Sequence, residues 1–215
     1  MIHKKVLNNR FLVRNATLSD AIGMEFVQKK CFPTLHPTEL MGHQHFESHI
    51  KTFPEGQLVI EFEGQIIGSA STLRCDFPEH DHSFMEASDN LWIIKTNKPR
   101  GDWMYGIDMG VLPEFRRLGL SKELYKARAE VCEKLNIIGQ IISGMTIGYS
   151  QFKSKMTIQE YCLALEKKLI IDPTIEPQLR AGFRWIRPIY NYINDDECGH
   201  ASILMYLPID KNYYI

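Results

Sequence analysis

Paired-cysteine spacing, long apolar runs and an excess of charge of either sign are all missing from this 215-residue chain. Its five cysteines, Cys31, Cys75, Cys132, Cys162 and Cys198, form no CxxC and leave one over if the rest pair. That speaks against a disulfide scaffold or a thiolate metal site and for reduced thiols. No apolar stretch reaches the ~20 residues of a membrane span, and Met1-Ile2-His3-Lys4-Lys5 leads into no signal-peptide core. The expected compartment is cytoplasmic. A formal net charge of −1 gives no general attraction to nucleic acid or an anionic membrane, so any anion site has to be local. Repeats, low-complexity tracts and linkers are also absent. With 44% apolar and 24% charged residues, the chain suits one globular domain over 1–215.

Several chemical motifs are missing as well. There is no Gly-x-Gly-x-x-Gly for a dinucleotide and no Gly-Lys-Ser/Thr for a nucleoside triphosphate. His45 and His49 stand at helical spacing, but Phe46 occupies the place where a zinc protease carries glutamate, so a solvated helix face is expected for His43, His45 and His49. No Cys-His arrangement supports thiol catalysis.

What is present centres on Val111-Leu112-Pro113-Glu114-Phe115-Arg116-Arg117-Leu118-Gly119-Leu120-Ser121. Pro113 stops the preceding strand because it has no ladder donor, and Gly119 frees the backbone to turn successive N–H groups toward one point. The N–H groups of Leu118, Gly119, Leu120 and Ser121 are the orphan donors of a helix start, and Arg116 and Arg117 add positive charge, so the stretch reads as a pyrophosphate loop. Around it lie the strand Trp103–Val111, an amphipathic helix from Ser121 to Leu135 and the apolar strand Ile137–Ser143, together a βαβ unit. On that helix Leu124, Ala127, Val131 and Leu135 form the packing stripe, while Lys122, Glu123, Lys126 and Glu130 face water.

The remaining elements follow from period and punctuation. A strand is expected at Phe11–Arg14, and a helix capped by Ser19-Asp20 with Ile22, Phe26 and Val27 at helical spacing. A second helix runs from Thr38 to about Lys51. The hairpin Leu58–Phe62 and Gln65–Leu73 turns at Glu63-Gly64, and a polar loop or insertion covers Arg74–Arg100. The box Thr157-Ile158-Gln159-Glu160 starts one helix, and Asp172-Pro173 starts a shorter one that Gly182 ends. Closing strands span Phe183–Ile193 and His200–Leu207.

Val-x-Pro-x-Phe-Arg-Arg-x-Gly-x-Ser ahead of a helix resembles the acetyl-CoA loop of the GNAT family of N-acetyltransferases, Arg/Gln-x-x-Gly-x-Gly/Ala, with Ser121 in place of the usual small residue. Cys31-Phe32-Pro33, Phe53-Pro54-Glu55-Gly56-Gln57, the strand from Asp102 to Gly106 and Gln178-Leu179-Arg180-Ala181-Gly182-Phe183 extend the likeness to nearly the whole chain. They resemble the acetyltransferase modules fused to carbon-nitrogen hydrolases. The resemblance implies an α/β fold: a mixed, mostly antiparallel sheet with a central, splayed parallel pair and helices on both faces. It implies acetyl-CoA as co-substrate and direct attack of a primary amine, small molecule or peptide, on the thioester. It also implies that the Met109 N–H meets the acetyl oxygen and the Val111 backbone the pantetheine arm, with Gly110 marking the bulge that opens the strand.

Asp108, the carboxylate nearest that position, is the expected base, with Glu61 second. Many family members carry a tyrosine where this chain has Gln178, so Tyr149 is the substitute expected to protonate the thiolate. A non-catalytic acyl-CoA sensor or partner module is the rival function. Nucleic acid, membrane and metal are not expected, and a homodimer stays open.

Overall fold

In the computed structural model, which describes residues 1–215, the chain begins with a hairpin, β1 (His3–Val6) against β2 (Phe11–Asn15). β1 escapes sequence reading because four residues with half-exposed side chains carry no alternating apolar signal. Helix α1 (Ala21–Cys31) follows a tight turn in which Thr17 and Asp20 cap one another. The face it lays on the sheet carries Ala21, Met24, Val27 and Gln28. Ile22 and Phe26, expected on that stripe, point to solvent, because the helix is rotated to bring Gly23 against Ile66.

α2 (His43–Thr52) starts five residues later than expected: Pro37–Glu39 makes only a single 3-10 turn, and Leu40 is extended and breaks it. Gly42 then takes the N-cap position. The hairpin β3 (Leu58–Phe62) and β4 (Gln65–Cys75) forms as expected, with Glu63 and Gly64 both at positive φ in a two-residue turn. The polar segment after it contains the one-turn helix α3 (Phe84–Ala87), and its Phe84, Leu91 and Ile93 plug the core.

β5 (Trp103–Val111), α4 (Leu120–Lys134) and β6 (Gly139–Met145) make the βαβ unit. Beyond it lie α5 (Ile158–Glu166), α6 (Ile175–Arg180), β7 (Arg184–Ile189) and β8 (Ser202–Pro208). All eight strands join one sheet in the order β1-β2-β3-β4-β5-β6-β8-β7, antiparallel except for β5–β6. One apolar cluster fills the space between the sheet and α1, α2 and α3. Two others lie on the opposite face under α4 and under α5 and α6. This is the mixed α/β architecture expected.

Two irregularities shape the centre. On β5, Asp108 faces Ser71 and Gly106 faces Thr72, so Ile107 is an extra residue and the strand bulges there. The bulge is thus at Ile107 and not at Gly110, which pairs in register with Ser69. Gly110 is small because a Cβ would stand 2.7 Å from the Cys31 sulfur. The parallel pairing also stops early. Trp103 to Gly106 match Gly139 to Ile142, after which β5 stays with β4, β6 stays with β8, and the two strands diverge.

Candidate active site

The divergence opens a cleft through the middle of the sheet, about 760 Å³ with its mouth included. Its edges are backbone that a continuous sheet would have paired. Leu112 N–H donates to Ile67 O at 2.9 Å, so by antiparallel alternation the N–H groups of Met109 and Val111 turn away from β4 and into the cleft. The Val111 carbonyl accepts from Cys31 Sγ and from Arg116 Nε, at 3.3 and 3.2 Å. Arg116 therefore ties the loop to the strand end, while Arg117, at positive φ, stays exposed.

Beyond the loop that follows Val111, α4 begins. Gly119 takes φ +82°, and a Cβ there would meet nothing within 4 Å. The N–H groups of Leu118, Gly119, Leu120 and Ser121 donate to no backbone or side-chain acceptor, whereas Lys122 N–H already reaches Gly119 O. Four free donors, the positive end of a 15-residue helix, two arginines and an open concavity suit a pyrophosphate.

Asp108 lies in the cleft on the α1 face, 7% exposed. Gln28 Nε2 approaches its Oδ1 at 3.5 Å, and Oδ2 has no partner. Burial pushes its pKa up to about 7, with the Gln28 contact pulling slightly the other way. Glu61 is elsewhere: it shares Arg14 with Asp20 at the surface and cannot serve as a base in the cleft. Cys31 is close, but burial and the Asp108 charge push its thiol up to about 11, which keeps it a poor nucleophile.

Tyr149 is not brought into this group. It sits in the 3-10 turn after β6, its ring packed on Tyr161 at 5.5 Å, and its hydroxyl donates to Met156 O at 3.3 Å. Gln178, by contrast, does line the cleft, its Oε1 aimed at Gly144, where a Cβ would be only 2.2 Å away. Beside Gln178 is a phenol that sequence reasoning missed. Tyr125 of α4 is 8% exposed and lines the cleft; burial raises its pKa, and the Arg128 charge and then the Gln178 amide partly offset that. One turn further along, Arg128 is also buried in the cleft wall. Arg128 falls four after Leu124 and three before Val131, on the packing stripe itself, a place its spacing gives and its charge masks.

A second missed group covers the α1 face. The Tyr105 hydroxyl contacts His82 Nε2 at 2.9 Å, Ser143 Oγ at 2.7 Å and the Tyr192 hydroxyl at 3.2 Å. Ser143 and Tyr192 line the cleft opposite α4. These residues come from four distant segments, so no spacing in the sequence announces them. His49, expected on a solvated face, is fully buried between Ser71 Oγ and Leu91 O at 2.7 Å each, and burial pushes its pKa down to about 4. His43 remains exposed beside Glu25.

The chain is also similar to known proteins. The family model described as "Acetyltransferase (GNAT) family" matches residues 23–144. Among curated proteins of Bacillus subtilis (strain 168), the chain is 33% identical to "Uncharacterized N-acetyltransferase YkwB" over 90% of its own length and 86% of that protein. It is 35% identical to "Probable hydrolase YhcX" over 95% of its own length, but spans only 41% of that relative. Among solved structures, the GphF GNAT-like decarboxylase in complex with isobutyryl-CoA superposes with a TM-score of 0.78 at 18% identity, covering 92% of this chain and 98% of that one. No helix is long and apolar enough to cross a membrane.

Proposed function

The chain belongs to the acetyltransferase (GNAT) family, and as an N-acetyltransferase of that family we propose that it moves an acetyl group from acetyl-CoA to a primary amine. The observation that carries this is the junction of two features. The β5–β6 divergence exposes the Met109 and Val111 donors, and the loop that follows Val111, tied back to its carbonyl by Arg116, leads straight to the four free N–H groups at the start of α4. Leu118, Gly119, Leu120 and Ser121 would hold the pyrophosphate, with Arg117 adding charge and Arg116 fixing the loop to Val111. Val111 would take the pantetheine arm and the Met109 N–H the acetyl oxygen.

Acetyl-CoA supplies the acetyl group as a thioester: the new C–N bond forms as the C–S bond breaks. The amine must attack uncharged and the departing sulfur must gain a proton. Asp108, on the α1 face, is poised near pH 7 to accept the proton from the amine. Tyr125, on the α4 face beside Gln178, is placed to give one to the sulfur in the stead of the phenol missing at position 178. Tyr149 drops out of the proposal, since its hydroxyl serves Met156. The acceptor would arrive between α1, α3 and the Tyr192 segment, past Ser143.

The rival is an acyl-CoA sensor, which would share the loop but not need the proton donors. Millimolar acetyl-CoA should raise the melting temperature, and an amine panel should give release of free thiol. At [L] = 100 Kd, binding adds about 2.7 kcal/mol. A shift without thiol release from any amine would favour the sensor, and absence of a shift would remove both readings.

A further inference from the structure

Arg128 is 1% exposed, yet it makes no hydrogen bond or ion pair, and its Nε and Nη2 are fully enclosed without an acceptor. Its nearest aromatic is the Tyr125 ring, 5.8 Å from Cζ. Removing a guanidinium from water without an anion is costly, and side chains are seldom kept that way without a use. Its head lies under Gly106, where a Cβ would be 2.7 Å from Nη2 and 2.9 Å from Nη1. Gly106 and Ile142 are the last paired residues before β5 and β6 part, so the guanidinium sits at the apex of the cleft. Asp108 is the sole carboxylate lining that cleft, and it faces Gln28 on the other side of the sheet.

We infer that Arg128 anchors a carboxylate of a ligand bound in the cleft. The inference rests on the acyl-CoA reading for the ligand's mode of entry. A phosphate of the same ligand does not fit the position: Arg128 is eight residues beyond Leu120, about 12 Å along the helix from the pyrophosphate loop. A planar carboxylate matches the two-pronged donor fork, and the narrow apex admits a small group. Two sources share this chemistry: an acyl thioester with a carboxylate at its far end, or an acceptor amine that carries one.

The test compares paired ligands on the intact protein. Calorimetry gives Kd for acetyl-CoA and succinyl-CoA, and kinetics with acetyl-CoA give KM for propylamine and β-alanine. A preference of tenfold or more for the carboxylated member is expected in one pair, and which pair shows it identifies the source. Arg128→Met should reduce that preference to within twofold, and Arg128→Lys should keep part of it. Free succinate should raise the melting temperature of the wild type and not of Arg128→Met, whose own ligand-free melting temperature should equal or exceed the wild type's. If Arg128→Met fails to fold, Arg128→Lys carries the comparison, and an unaltered preference there overturns the proposal. So does no preference in either pair, or one that survives in Arg128→Met. So does equal loss for both members of a pair, which would assign Arg128 to the fold or the thioester. If acetyl-CoA does not bind at all, the acyl-CoA reading fails instead, and the succinate arm alone decides on Arg128.

Discussion

Asp108 has no cation near it, so burial alone holds its pKa at about 7, above the ordinary value of 3.8. Between those values the folded state binds more protons than the unfolded one, so this group's contribution to stability falls as pH rises from about 4 to 7 and stays low above. Asp108→Asn should therefore melt higher than the wild type at pH 8, with the difference gone at pH 4, while turnover falls by roughly 10²-fold or more if the carboxylate is the base. Tyr149→Phe should do the reverse: it loses the bond to Met156 O, about 1 kcal/mol, and leaves turnover unchanged in the thiol-release assay. Asp108 and Met109 came into view through the resemblance of the loop motif to the family's, which implies an acetyl position on the strand ahead of it. Tyr125 did not, since a tyrosine in a helix reads as packing until the partner strand shows that it meets a cleft. Arg128 was hidden by its charge, which polarity patterns send to the surface whatever its spacing.

The helix start at Leu120 is the element on which cofactor binding turns. Gly119→Glu puts a side chain and a negative charge into open space, so it should fold, at about 1 kcal/mol for a left-handed residue that is no longer glycine. It should also lose the acetyl-CoA thermal shift. Normal binding by this variant would move the phosphate site elsewhere. Arg116→Ala should weaken binding less, through a looser loop at Val111. Elements were legible where one period ran for long: the β3–β4 hairpin, α4 and the Thr157 box all form as expected. They were not where tertiary contacts decide, as in the rotation of α1, the late start of α2 and the bulge at Ile107, which depends on a register with β4 that no local signal encodes.

At the scale of the molecule the sheet is two blocks, β1-β2-β3-β4-β5 and β6-β8-β7, held edge to edge by the four residue pairs from Trp103–Gly139 to Gly106–Ile142. The chain's first strand belongs to one block and its last to the other. If the protein is stretched by its two ends in an optical trap, the load has to cross that short parallel seam, and the seam should rupture before either antiparallel block unravels. Acetyl-CoA lying along it would act as a rivet, raising the rupture force without altering the length released afterwards.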